Sequence, residues 1–158
     1  MVRLILGETI RTLDQRFRLS IPPELADMLA TEGSECVLAK ERPGCLSLWN
    51  AGNWKSRLDA GVQLVESKIQ AGRLEGRVEE VQRLGRLLST RHRQIQLAGR
   101  GRLVIPEGFR EFLGAEPGGD VMLIGAAVCV EIWHPEKWSS YVGDEMPAFR
   151  QLLEQLSG

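Results

Sequence analysis

The chain is poor in the groups from which most active sites are built. It has two histidines, His92 and His134, one tyrosine, and three cysteines, Cys36, Cys45 and Cys129. An odd cysteine count with no C-x-x-C pair and no metal-ligand spacing argues against a disulfide framework or a zinc site. Cys45 and Cys129 sit in apolar runs and are expected to be buried, inert thiols. Nucleophilic catalysis needs a nucleophile beside a base, and none of these residues has that context, so neither enzymatic activity nor a cofactor, metal or small-molecule substrate is expected. His134, ahead of Pro135 at a strand end, is expected to be structural. His92, between Arg91 and Arg93, is expected as a donor to phosphate. Long apolar runs are missing too. The longest, "VMLIGAAVCV", is far too short for a membrane span, and "MVRLILGETIR" meets an acid too early for a signal peptide. A cytoplasmic protein with no membrane partner is the expectation.

Acids are also missing where they would matter most. The net charge is −1, yet Val81 to Pro106 holds six arginines (83, 86, 91, 93, 100 and 102) and not one acid. From Glu107 onward nine acids face three basic residues. A charge run is most often a solvated face, but this one coincides with a repeat, which favours a surface facing a polyanion.

The repeat is the dominant positive feature. "DQRFRLSIP" (14–22) returns as "AGRGRLVIP" (98–106), and residues 11–56 align with 95–140 without a gap, thirteen of 46 pairs being identical. The identities include Arg16/Arg100, Arg18/Arg102, Val37/Val121, Cys45/Cys129, Trp49/Trp133 and Trp54/Trp138. Such internal periodicity sets the architecture before any local reading. Each copy reads as strand, short helix, hairpin. "RFRLSI" alternates in character and ends at proline, as a strand does. Pro23 suits the first turn of "PPELADMLA", with Leu25, Met28 and Leu29 on one face. Phe109, Phe112 and Leu113 repeat that face, and Gly114 is placed to end the helix. "CVLAKERPGCLSLW" is a hairpin turning at Pro-Gly, a type II signal, and "VMLIGAAVCVEIW" is its partner, turning near "GAA". Trp49 and Trp133 are expected in the core. Between the copies, Trp54, Leu58, Val62, Val65 and Ile69 mark one helical face, and Leu74, Val78, Val81 and Leu88 a second beyond a break at Gly72. The fold class is therefore α+β, with modules at 8–55 and 92–135, a helical spacer at 56–91 and a C-terminal helical segment at 136–158.

With these residues in place, the sequence resembles the MraZ family of bacterial transcriptional regulators, within the wider AbrB-like group. The resemblance rests on the D-x-x-x-R motif, Asp14 to Arg18 in "LDQRFRLSIP", on the second "GRLVIP" (101–106), on hairpins ending in "LSLW" and "VEIW", and on the helical spacer. It implies that the two modules build one swapped-hairpin β-barrel and that chains assemble into a ring. It implies a DNA-binding regulator, expected to repress, acting on tandem repeats at the promoter of the division and cell-wall gene cluster and associated with the nucleoid. The sequence departs from the family pattern at Ala98, where an Asp is usual, and at Phe17, where a glycine is common.

The motif suits that chemistry. Cationic contacts to phosphate supply most nonspecific affinity for DNA, and the arginine fork can pair bidentately with guanine in the major groove. Alternation along a strand would point Arg16 and Arg18, and likewise Arg100 and Arg102, to one face. These four are the candidate DNA contacts, with Arg91 and Arg93 in support. Asp14 opposes phosphate in charge, so its expected role is to cap the turn or hold an arginine. The rival reading is a protein-interaction module, antitoxin-like or a structural ring, that does not bind DNA.

Overall fold

The computed structural model describes residues 3–29, 35–99 and 101–158. The first half runs β1 (Ile5–Thr12), a short strand β2 (Arg18–Ser20), helix α1 (Pro23–Leu29) and the hairpin β3 (Glu35–Arg42) and β4 (Cys45–Asn50). Helices α2 (Ala51–Gln70) and α3 (Val78–Arg91) follow, joined through a 3-10 turn. The second half repeats the order with β5 (His92–Gln96), β6 (Arg102–Val104), α4 (Phe109–Leu113), β7 (Asp120–Ala127) and β8 (Val130–Trp133). The chain closes with α5 (Pro135–Glu145) and α6 (Phe149–Ser157).

Local chemistry accounts for the punctuation. Gly114 adopts a left-handed conformation (φ 78°) and its N–H donates to the Arg110 carbonyl, ending α4. Gly44, at φ 85° after Pro43, makes the first hairpin turn as a type II turn requires. The second hairpin turns later than its "GAA" suggests, at Ala127 (φ 68°) to Cys129. Cys129 therefore lies in the turn rather than within a strand, although it is buried. "RFRLSI" is not a strand throughout either: Gln15 and Arg16 form a turn and the strand begins at Arg18.

The strands form a six-stranded antiparallel sheet, ordered β1-β7-β8-β4-β3-β5, and a separate two-stranded ribbon, β2-β6. The first strand of each half pairs with the hairpin of the other half. At the centre of the sheet Ser47 lies opposite Glu131, and in the ribbon Leu19 lies opposite Leu103. Both are pairs of equivalent residues, so a pseudo-two-fold axis passes through both. No closed barrel forms among the described residues. Beyond β1 and β5 the chain turns tightly, with Phe17 N–H donating to the Asp14 carbonyl and Gly101 N–H to the Ala98 carbonyl. The three-residue strands that follow bond to each other, and no ladder joins β1 to β5 at the sheet edges.

The two faces of the sheet are covered differently. One carries the main core, in which Leu38, Leu46, Leu48, Leu123, Val130 and Ile132 meet Leu19 and Leu103 from the ribbon and Leu25, Leu29, Phe109 and Leu113 from α1 and α4. Each such side chain contributes about 1.5–3 kcal/mol on burial. The other face carries two aromatic clusters. Trp49 meets Trp54 of α2 edge-on at 5.8 Å, and Trp133 meets Trp138 and Tyr141 of α5 at 5.3 and 5.0 Å. The repeated tryptophan pairs are thus two rivets, each holding one helix to the sheet. Their indole N–H groups reach polar atoms beside the axis: Trp49 donates to Ser47 Oγ (2.8 Å) and Trp133 to Glu131 Oε1 (2.9 Å).

The gapless alignment hides a one-residue slip. By burial and pairing, Cys36 matches Val121 and Val37 matches Met122. Cys36 and Val121 belong to the main core, whereas Val37 packs with Trp49 and Trp54. The Val37/Val121 identity therefore joins residues on opposite faces of their strands. The slip opens before β3, where five residues separate it from α1 against six between α4 and β7. A bulge between Lys40 and Arg42 restores the register.

Candidate nucleic-acid interface

The exposed face of the ribbon carries one repeated pair of arginines, Arg18 and Arg102. Leu19 and Leu103 point into the core, so Arg18, Ser20, Arg102 and Val104 share the opposite, exposed face. Arg18 pairs across with Val104 and Arg102 with Ser20, which sets the two guanidinium groups at opposite ends of the ribbon, related by the pseudo-two-fold axis. Arg16 sits in the exposed turn before β2, not on the strand, so strand alternation does not align it with Arg18. Arg100 lies outside the described residues.

Asp14 organises the first turn. Its Oδ1 accepts the backbone N–H groups of Arg16 and Arg18, both at 2.8 Å, and its Oδ2 accepts Arg18 Nε at 2.6 Å. The Arg18 backbone donor is the largest of several effects that hold the carboxyl below the usual aspartate range. With Nε committed to Asp14, the two terminal nitrogens of Arg18, bonded to no described residue, can form a fork.

The second turn keeps this backbone without the carboxylate. Ala98 N–H donates to the Arg102 carbonyl at 2.9 Å, as Asp14 N–H does to the Arg18 carbonyl at 3.1 Å. Arg102 Nε donates instead to the Gly99 carbonyl at 3.2 Å. A neutral carbonyl replaces a charged acceptor, so Arg102 is held more weakly.

Arg91 packs on the far face, while Arg93, opposite Leu38, lies on the ribbon side of the sheet. Arg91 donates from Nε to the Lys40 carbonyl, lies 3.7 Å from Glu41 and covers the Trp54 ring, tying α3 to the far face of the sheet. Arg93 covers Phe109. His92 packs against Trp54, on the face of the sheet opposite the ribbon, with Nδ1 buried and bonded to no described residue. His134 caps α5 by accepting the Glu136 N–H. Two further residues beside the ribbon lie outside the set expected from sequence. Phe17 sits between Arg16 and Arg18, and Arg110 of α4 covers its ring at 4.3 Å. The signal for Arg110 is in the alignment, where it stands opposite Ala26.

The cysteines carry no reactive signature. Burial pushes the Cys36 thiol up to about 11, and burial with nearby Glu131 pushes Cys129 up to about 12 and Cys45 higher still. Among the described residues no His/Cys/Asp/Glu cluster could hold a metal, and no helix is long and apolar enough to cross a membrane.

A duplicated α+β chain with a cationic β-ribbon on its axis is the class these features define. Comparison with known proteins then places it. Residues 89–156 match the family model described as "MraZ protein, putative antitoxin-like". The chain is 31% identical over 137 residues to the protein named Transcriptional regulator MraZ from Roseiflexus castenholzii, covering 87% of this chain and 85% of that one. Proteins of the same name from Acetivibrio thermocellus and Syntrophomonas wolfei are 27% and 28% identical, with at least 95% of each chain covered. The chain belongs to the MraZ family of transcriptional regulators.

Proposed function

We propose that this protein is a sequence-specific DNA-binding regulator that reads the major groove with the β2-β6 ribbon. The carrying observation is the pair Arg18 and Arg102, exposed at the two ends of one ribbon face with each Nε already engaged. Anchoring Nε leaves the terminal nitrogens to pair bidentately with O6 and N7 of guanine, and two-stranded ribbons are an established way to enter that groove. Arg16 and Arg100 support through phosphate, and Asp14 orients Arg18. The reading units are residues 8–55 and 92–135, with 56–91 as spacer and 136–158 as tail. Pairing of each half's first strand with the other half's hairpin supports the swapped-hairpin arrangement.

The protein acts as a ring-like homo-oligomer on tandem repeats. One subunit offers few cations on a chain of net charge −1, and few neutralised phosphates give modest affinity at physiological salt. Repetition around a ring removes that limit through effective concentration. Helix α6 supports assembly: Phe149, Leu152, Leu153 and Leu156 form one apolar stripe, all more than half exposed. By family, the targets are the division and cell-wall genes, the effect is repression, and the protein works at the nucleoid.

A shift assay on DNA from upstream of the protein's own gene tests the reading. Arg18→Ala should weaken cognate binding while leaving the thermal midpoint in place. Unchanged affinity removes Arg18 from the site. Absence of binding by the unaltered protein would favour a protein-interaction module instead.

A further inference from the structure

The pseudo-two-fold axis makes each half a control for the other, and the two halves differ beside the ribbon in a paired way. In the second half the turn residue is Gly101 (φ 72°), packed so closely that an added Cβ would lie 3.0 Å from the Ala26 Cβ and 2.8 Å from the Ile21 carbonyl oxygen. Across the axis the turn residue is Phe17 of the first half, also left-handed (φ 59°), and facing it, in place of Ala26, is Arg110 of the second half. The backbone bond is the same on both sides: Ile21 N–H donates to the Gly101 carbonyl and Ile105 N–H to the Phe17 carbonyl, each at 2.9 Å. A glycine-alanine pair on one side is thus a phenylalanine-arginine pair on the other.

Arg110 is fixed in place. Its guanidinium covers the Phe17 ring at 4.3 Å and its Nε donates to the Ile105 carbonyl at 2.6 Å. Its terminal nitrogens are bonded to no described residue, and the side chain is only partly buried. It stands against the residue that lies between Arg16 and Arg18. The ring and the carbonyl therefore do for Arg110 what Asp14 does for Arg18: they engage Nε and leave the outer edge of the fork open.

We propose that Arg110, seated on Phe17, is an additional phosphate contact present at the Phe17 end of the reading surface only. Resting on the DNA-binding reading above, the inference gives the ribbon a built-in polarity. The Phe17 end of the ribbon engages the backbone with one cation more than the Gly101 end, so the subunit has a preferred direction on DNA although its strands are nearly symmetric.

The test is the exchange Phe17→Gly with Arg110→Ala, which gives this end of the ribbon the pair that the Gly101 end already accommodates. The protein should fold with an unchanged or raised thermal midpoint. On a duplex carrying the region upstream of the protein's own gene, measured over a series of salt concentrations, the slope of log affinity against log salt should fall by about 0.9 for each bound subunit in which Arg110 is replaced. Arg110→Lys should keep the slope, because it keeps the charge. An exchange variant that is folded and binds with the original slope overturns the proposal, since a packing role alone cannot alter counterion release. If the unaltered protein does not bind the duplex at all, the DNA-binding reading has failed rather than this residue. If unaltered protein binds and Arg110→Lys reduces the slope as much as the exchange does, the charge at this position does not carry the contact and the proposal also falls.

Discussion

Gly101→Ala is the most demanding single substitution on the reading surface. Two costs add. At φ 72° a residue with a Cβ pays for left-handed backbone, about 1–2 kcal/mol. The new methyl would also stand 2.8 Å from the Ile21 carbonyl oxygen and 3.0 Å from the Ala26 Cβ, both parts of well-anchored neighbours. Relief by backbone movement is an overpacking cost of about 1–3 kcal/mol. The sum is about 2–5 kcal/mol. At about 2–4 °C per kcal/mol for a chain of this size, the thermal midpoint should fall by roughly 4–20 °C. The control is Gly99→Ala, two residues away, where an added Cβ meets nothing within 4 Å. Differential scanning calorimetry of the two variants beside the parent decides the matter. A Gly101→Ala midpoint within a degree of the parent would refute both the tight packing at this turn and the equivalence drawn between Gly101/Ala26 and Phe17/Arg110.

Arg18→Ala should reduce discrimination between cognate and mutated DNA sites by up to about 1–3 kcal/mol. Arg102→Ala should cost less in the same competition assay, because Gly99 holds its guanidinium through a neutral carbonyl. Glu131 is raised above the ordinary glutamate range first by burial and then by nearby Glu41, with the Trp133 donor opposing. A carboxyl with a raised folded pKa favours the protonated form, so its contribution to stability falls as pH rises from the ordinary carboxylate range through the raised value. Glu131→Gln, which keeps an acceptor for Trp133, should therefore raise the midpoint near pH 8 and flatten its dependence on pH, as thermal melts across pH 5 to 8 would show. Leu152→Glu with Leu156→Glu should leave protomer stability within about 0.5 kcal/mol, as surface changes do, but reduce the mass measured by light scattering. An unchanged mass would remove α6 from the assembly contact.

The repeat is legible because its strongest marks are residues with no cheap substitute. Trp49 with Trp54, and Trp133 with Trp138, each rivet a helix to the sheet, and Pro22 and Pro106 follow the ribbon strands at equivalent positions. The turn at Pro43-Gly44 and the helix stop at Gly114 are readable because left-handed backbone favours glycine. The slip in β3 is not legible, because a shorter connection and a later bulge cancel in the count of residues. Arg16 reads as a strand residue because "RFRLSI" alternates in character, while the bonds from Asp14 fold its first residues into a turn. His92 looks electropositive in sequence, yet strand alternation carries it to the face opposite the ribbon. Arg110 gives no signal by itself because its meaning lies in a neighbour of distant sequence number, Phe17, across the axis.

Ser47 opposite Glu131 has a consequence for how such a molecule can change. In a dimer of two identical chains, the residue on the symmetry axis must face its own copy. A glutamate there would set two carboxylates together on a covered surface, and a serine could only ever meet a serine. A single polypeptide carrying both halves is released from that constraint. It can place an acid on one side and a hydroxyl on the other, each supporting its own tryptophan. Covalent fusion thus makes every position near the axis two independent choices, so one half can be altered without the alteration being mirrored in the other.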